Sequence, residues 1–376
     1  MREGMSRREW IKAGAWSAAG LALSLETVAC GRQPREETLR AAEATGAKLN
    51  SNESPYGLSP GAREALIRAV ERSHLYPHPG YPDFKAVIAE RENVAAENIV
   101  LGAGSTEVMT MLIHLAAGQG EALASDPTYF DFVHYVEAAR CRLRSIPVRP
   151  DFSHDLESMA AQIGPDTALA YICNPLNPTG TILPGDMLRA FCEDASRKTL
   201  VVVDEAYHEY VDDPSYGSMI ALIREGRNVV VTRTFSKIFG MAGLRVGYGI
   251  GPADVIESLA PYRMNFASIA GTSLSAARAA YADLAFVRSV KEKNSSLKAY
   301  LYGELDRLDL TFIPSHTNFV LFQVPVPRDA RETQAELAER GVLVRPFQIK
   351  EKNWIRVSIG TQDDMQAFVS ALRGVI

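Results

Sequence analysis

Apolar positions recur at helical spacing in two early stretches. Ala62, Leu66, Ala69 and Val70 mark a helix over 63–72, and Val108, Met111, Leu112 and Leu115 line one side of another over 107–117. Short uninterrupted apolar runs follow at 168–172, 200–203 and 229–231. Runs without polar alternation predict strands buried on both faces, as in a parallel sheet covered by helices. A long helix with a polar face is expected over 289–308. Beyond residue 311 the elements shorten, with apolar runs at 319–324, 343–345 and 355–359 and a helical pattern at 363–372. The expected fold class is α/β: a three-layer major domain with a mostly parallel sheet, and a smaller α+β domain. Residues 48–285 are assigned to the major domain, with an N-terminal arm of the small one, and residues 286–376 to the small domain.

The first thirty residues break this pattern. Arg7, Arg8 and Lys12 are followed by an Ala/Leu-rich stretch over 13–25, then by small residues ending at Ala29 and Cys30. Basic, apolar and small regions in that order are a targeting segment before they are structure. Ser6-Arg7-Arg8-Glu9-Trp10-Ile11-Lys12 resembles the twin-arginine export signal, with Trp10 and Ile11 in place of the usual aromatic and Leu. Export to the periplasm or to a membrane anchor is the expectation, with a cytoplasmic location as the alternative. Thr27-Val28-Ala29-Cys30 resembles a lipoprotein cleavage box, with Thr27 where Leu is usual, so Cys30 is a candidate lipid anchor. A plain signal-peptidase site beside a cysteine is the other reading. Residues 31–47 are polar and read as a linker.

Composition adds exclusions. The chain has 376 residues, 47% of them hydrophobic, and a net charge of −5, which fits a globular core and leaves no electrostatic case for nucleic-acid binding. The 4 cysteines, Cys30, Cys141, Cys173 and Cys192, lack metal-ligand spacing and are too few for a disulfide scaffold. Cys141, Cys173 and Cys192 read as inert thiols. His78, His114, His134, His208 and His316 show no ligand spacing either, and no metal is expected. No run reaches the roughly 18 apolar residues of a membrane span.

Each of the three predicted strands is followed by residues of unusual chemistry. Ligands of open parallel sheets bind beyond the strands' carboxyl ends, so these segments share one edge. After 229–231 comes TRTFSKIFGMAGLRVGYG, with Thr234, Ser236, Lys237 and Arg245: two hydroxyls, an amine and a guanidinium on a glycine-containing connection. Phosphate calls for such donors, and a lysine among phosphate ligands can bond covalently to an aldehyde. After 200–203, Asp204 ends an apolar strand, where a carboxylate is costly without a positive partner, and Tyr207 stands three residues on. After 168–172, Cys173-Asn174-Pro175-Leu176-Asn177-Pro178-Thr179-Gly180 makes a rigid turn that can present the Asn177 amide. Gly102-Ala103-Gly104 leads into a helix whose first N–H groups are free, a ready anion site.

Together these segments resemble the fold-type I pyridoxal-phosphate-dependent aminotransferases, and most closely the histidinol-phosphate aminotransferase branch of classes I and II. The resemblance runs from Leu49 to Ala371. It is carried as well by LNSNESPYG around Asn50, YPHPGYPDFK after Tyr76, DPTYFDF around Tyr129, PSHTNFV around Asn318, GVLVRPF around Arg345 and IRVSIGT around Arg356. It implies a cofactor, pyridoxal 5′-phosphate, held covalently by Lys237, which then moves the proton of the reaction. It implies that Asp204 pairs with the ring nitrogen, that Asn177 and Tyr207 bond the ring hydroxyl, and that Tyr129 stacks on the ring. The phosphate is expected on the N–H groups of Ser105 and Thr106 and on Thr234, Ser236 and Arg245. Tyr76 matches a tyrosine that reaches the phosphate from the neighbouring subunit, which implies a homodimer. Arg356 matches the arginine for the substrate's α-carboxylate, and Arg345 one that contacts a substrate phosphate. Pro346 and Phe347 after Arg345, Ser54, and Leu176 in place of the usual Asn are departures that bear on the substrate.

The implied activity is transfer of an amino group from an amino acid or amine, with a histidinol-phosphate-like donor among the candidates, to a 2-oxo acid. Relatives of the same fold include decarboxylases, other lyases and cyclising enzymes, so a different reaction on the same cofactor is the alternative. A non-catalytic exported binding protein is the third reading.

Overall fold

The computed structural model describes residues 46–263 and 268–376. The expected export signal, Cys30 and nearly all of the expected linker lie outside the described residues.

A seven-stranded sheet organises the larger part of the molecule. Its strands are β2 (Ile99–Gly102), β3 (Glu121–Asp126), β4 (Arg142–Pro147), β5 (Thr167–Cys173), β6 (Leu200–Asp204), β7 (Val229–Thr234) and β8 (Gly247–Ile250), with β1 (Ala47–Lys48) preceding them elsewhere. The spatial order is β2-β8-β7-β6-β5-β3-β4. All neighbouring pairs from β7 to β4 are parallel, and β8 alone runs against its neighbours.

The three apolar runs are the central strands, and their burial on both faces has a simple basis. Val201 and Val203 of β6 and Val229 and Val231 of β7 pack into one hydrophobic cluster. Leu200, Val202 and Val230 pack into a second. Helices Gly80–Glu92, Gly185–Ala195 and Gly271–Ala282 cover the first face through Phe84, Ile88, Leu188 and Ala276. Helix Ser105–Ala117 covers the second through Val108, Met111 and Leu112. The result is the three-layer α/β arrangement.

Helix boundaries shift by a few residues from the expected ones. The first helix is Pro60–Val70, starting early because the Ser59 side chain accepts the Ala62 N–H and Pro60 fits the first turn. The long helix is Leu284–Arg307, capped by Asp283. It crosses the boundary expected at residue 285: Val287 and Val290 join the large cluster, and Leu301 and Leu305 join a separate smaller core.

That smaller core lies between helices and a four-stranded antiparallel sheet of β9 (Phe312–Ile313), β10 (Phe319–Gln323), β12 (Arg345–Ile349) and β13 (Lys352–Ser358), in the order β12-β13-β10-β9. β11 (Val342–Leu343) pairs with β1, so Ala47 and Leu49 return to the small core. The single run expected at 343–345 is thus two strands, β11 and β12, interrupted at Val344. Among the described residues no helix is long and apolar enough to cross a membrane.

Candidate active site

The carboxyl ends of β2, β3, β5, β6 and β7 meet on one edge, where a cavity of about 410 Å³ opens. Ser105, Thr106, Tyr129, Asn177, Asp204, Tyr207, Thr234, Ser236, Lys237 and Arg245 all line it, so ten of the sequence-predicted residues come together. Each comes from the carboxyl end of a strand or from the segment that follows it, the position expected for ligand groups in such sheets.

Strand alternation sets the polar groups. Asp204 and Glu205 follow Val203 on opposite faces of the sheet, as do Thr232 and Arg233. Asp204 therefore receives the hydroxyl protons of Tyr171 at 2.9 Å and Thr232 at 3.1 Å, together with the Ala206 N–H at 3.2 Å. Glu205 instead meets Arg233. Burial pushes the Asp204 carboxyl above its ordinary range, against the three hydrogen bonds and the nearby Lys237. The positive partner expected for Asp204 is not supplied by an ion pair among the described residues; the carboxylate faces the cavity instead.

Tyr207 lies under the cavity with its hydroxyl accepting from Asn52 Nδ2 at 3.0 Å and Asn177 Nδ2 at 3.3 Å. With two donors already on its oxygen, its own proton is free to be donated to a ligand. Asn177 Oδ1 accepts from Arg356 Nη1 at 2.7 Å, and Arg356 Nη2 donates to the Asn50 carbonyl at 2.9 Å. Arg356 Nε is buried and has no partner. Burial lowers this guanidinium to about 10, opposed by Tyr207 and helped by Arg345.

Lys237 Nζ donates to the Ser51 carbonyl at 3.3 Å and lies 5.6 Å from the centre of the Tyr207 ring. Burial, then Arg356, lowers its amine from 10.5 to about 8. Thr234 and Ser236 hydrogen-bond each other, and Arg245 Nη1 reaches Ser236 Oγ at 3.2 Å. Opposite them begins helix Ser105–Ala117, preceded by Gly104 at φ +83°. A Cβ on Gly104 would collide with the Arg245 guanidinium, and one on Gly247 with the Ser105 amide. Those two glycines keep the helix's free N–H groups and the Arg245 side chain within reach of one anion.

Two expected residues do not line the cavity, although Arg356 reaches it through its bond to Asn177. Arg345 on β12 and Arg356 on β13 are direct cross-strand neighbours, and both guanidinium groups stand near the Phe347 ring, at 5.8 and 5.4 Å. Tyr76 stands apart. It is 79% exposed beside Leu75 and Pro77 and does not line the cavity of its own subunit. Sequence reasoning missed Asn52, Glu53, Tyr171, Thr232, Asp131 and Tyr135. Asn52 carried a signal in its NSNES context and holds a positive φ of 54°. Tyr171 was hidden inside a run read as purely structural, and Thr232 opens the TRTFSK segment, where Thr234, Ser236 and Lys237 drew the reading instead.

These groups fit a phosphorylated aldehyde with a basic ring nitrogen. A helix start and three side-chain donors would hold the phosphate, the Lys237 amine of lowered basicity would meet the aldehyde, and Asp204, buried and in no ion pair among the described residues, would meet the ring nitrogen. Residues 44–372 match the family model for aminotransferases of class I and II. The chain belongs to the class I and II aminotransferases. It is 40% identical over 332 residues to a histidinol-phosphate aminotransferase of Moorella thermoacetica, covering 88% of this chain and 85% of that one. It is 40% identical over 344 residues to histidinol-phosphate aminotransferase 1 of Thiobacillus denitrificans, covering 90% and 87%. The solved histidinol-phosphate aminotransferase of Sinorhizobium meliloti in complex with pyridoxal 5′-phosphate superimposes with a TM-score of 0.83 at 27% identity, covering 90% and 93%. This aminotransferase uses pyridoxal 5′-phosphate, and the match decides for transamination among the reactions the sequence left open. Among the described residues no group of three or more His, Cys, Asp or Glu side chains is placed to hold a metal.

Proposed function

We propose that this aminotransferase takes the amino group from a histidinol-phosphate-like donor, one with an anionic group remote from the reacting amine, and gives it to a 2-oxo acid. The observation that carries the reading is the Arg345–Arg356 pair. Arg356 has a buried unpartnered Nε and is bonded to the cavity-lining Asn177, and its cross-strand neighbour Arg345 makes no ion pair among the described residues. Arg356 suits the carboxylate of the 2-oxo acid and Arg345 the remote anion, each through paired N–H donors.

The other roles follow from the same geometry. Bound pyridoxal 5′-phosphate supplies an aldehyde and a ring that draws electron density from the donor's α-carbon. Asp204 would keep the ring nitrogen protonated, Tyr207 and Asn177 would hold the ring oxygen, and Tyr129 would lie against the ring. Ser105 and Thr106 N–H groups, Thr234, Ser236 and Arg245 hold the phosphate. Lys237 Nζ anchors the cofactor and then carries the proton from the α-carbon of the donor.

Half-reactions followed by the visible absorbance of the bound cofactor test the donor. Histidinol phosphate is expected to react at least about tenfold faster in kcat/KM than histidinol, since a charge-assisted hydrogen bond contributes about 1.5–3 kcal/mol. Equal rates would overturn the reading. The Arg345→Ala variant is expected to erase the difference.

We further propose that the chain acts as a homodimer and is exported. Ile67, Val70, Leu75 and Tyr76, close together in the chain, are exposed large apolar side chains, which supports the dimer. The Arg7-Arg8 segment supports the twin-arginine route, which carries folded proteins and so accommodates an enzyme already loaded with cofactor. Cys30 is the acylation candidate. Cell fractionation is expected to find the chain outside the cytoplasm and to retain the Arg7→Lys, Arg8→Lys variant inside; a wholly cytoplasmic wild type would exclude export.

A further inference from the structure

The active-site cavity holds two carboxylates that the reaction described above does not use. Helix Phe130–Ala138 begins at the cavity edge, and its residues Asp131 and Tyr135, four apart and therefore on one face, both line the cavity. Three carboxylates line this space: Glu53, Asp131 and Asp204. Asp204 is bonded by Tyr171, Thr232 and the Ala206 N–H. Glu53 is paired with Lys48 at 3.2 Å. Asp131 has only the Tyr129 hydroxyl, which donates to its Oδ2 at 2.6 Å, and it makes no ion pair among the described residues.

We infer that Asp131 is a specificity-determining residue that receives a cationic or N–H-bearing group on the remote part of the amino donor: an amine, a guanidinium or an imidazolium. A carboxylate facing a partly desolvated cavity is costly unless a positive group meets it. Arg356 feels the Asp131 charge, yet neither Arg356 nor Arg345 makes an ion pair with Asp131 among the described residues. Arg356 is turned to Asn177 and Asn50, and Arg345 lies over the Phe130 ring at 5.5 Å. Tyr129 fixes the carboxylate's orientation, so one oxygen remains for the donor. The inference rests on the donor reading above and adds to it. Arg345 lies over Phe130, the chain neighbour of Asp131, so opposite charges would stand close together and the favoured donor carries a remote anion and a remote cation together.

The test separates charge recognition from the support of Tyr129. Asp131→Asn removes the charge and keeps an oxygen that can accept the Tyr129 proton, whereas Asp131→Ala removes both. Holoenzyme half-reactions are measured with L-ornithine and L-norvaline, which have the same chain length and differ by the terminal ammonium. The ornithine-to-norvaline ratio of kcat/KM is expected to fall about tenfold or more in Asp131→Asn and Asp131→Ala alike, because a charged hydrogen bond is lost in both. A ratio unchanged in both variants would overturn the inference and leave Asp131 as a support for Tyr129. The histidinol phosphate to histidinol ratio, measured on the same proteins, reads the Arg345 proposal independently. Loss of the phosphate preference with an intact ornithine effect would reject that reading and keep this one. The cofactor absorbance of each variant verifies that it is loaded.

Discussion

Lys237 shows how one position converts burial into chemistry. Its amine is lowered from 10.5 to about 8, first by desolvation and then by the Arg356 charge. Only the neutral amine bonds to an aldehyde, so uptake of cofactor by apoenzyme is expected to rise about tenfold per pH unit below 8 and to level off above it. Stopped-flow absorbance measures this, and a flat profile from pH 6 to 9 would contradict the assignment. The Lys237→Ala protein is expected to bind the cofactor without the covalent band at any pH. Stability follows the same sign. The folded amine has the lower pKa, so between about 8 and 10.5 the unfolded chain binds more protons and the apoprotein gains stability as pH rises. Much of this residue-scale chemistry was legible in the sequence, because Lys237, Asp204 and Arg245 are chemically odd neighbours of apolar runs. Asp131 was not legible. A carboxylate in a helix's first turn looks like an ordinary partner of the helix dipole until the cavity beside it is seen.

At the scale of the element, β6 and β7 divide their work by face. Asp204 and Thr232 serve the cavity, while Glu205 and Arg233 serve the opposite face. There Arg233 Nη2 lies 2.8 Å from Glu205 and Nη1 lies 2.9 Å from Glu92, which also accepts the Tyr281 hydroxyl at 2.7 Å. This network ties the strand ends to helices Gly80–Glu92 and Gly271–Ala282. Glu205 and Arg233 side chains are only 1% and 6% exposed. Arg233→Ala leaves Glu205 charged and unpaired, and the loss is expected to be about 3–5 kcal/mol in urea unfolding. A loss below about 1 kcal/mol would mean that the network is not what braces the strand ends. The sequence carried a signal here too, since an arginine inside VVVTRT must be paired. The central strands were legible because burial on both faces leaves uninterrupted apolar runs. β4 was not, because this edge strand buries only Ile146 and otherwise reads as a polar segment, RLRSIP. β2 and β8 were too short, at four residues each, to stand out from the turns around them.

For the whole molecule, the position of Tyr76 bears on the active unit. Every other phosphate-site residue expected from the sequence lines the cavity, whereas Tyr76 is 79% exposed, as Leu75, Val70 and Ile67 are also exposed. The proposed two-fold dimer would cover these exposed side chains and bring each Tyr76 to its neighbour. Shared sites have a stoichiometric signature. The Lys237→Ala subunit lacks the anchoring amine but keeps Tyr76, and the Tyr76→Ala subunit keeps the amine but lacks the tyrosine. A heterodimer of the two contains one site with both defects and one site with none. Random reassociation of equal amounts makes half the dimers mixed, so about a quarter of wild-type activity is expected to return from two proteins that are each nearly inactive. Sedimentation of the mixture measures the dimer, and the transamination rate measures the restored sites. If Tyr76 acted within its own subunit, every site in the mixture would retain a defect and no activity would return. Recovery therefore distinguishes a site built by two chains from two independent sites that only happen to be joined.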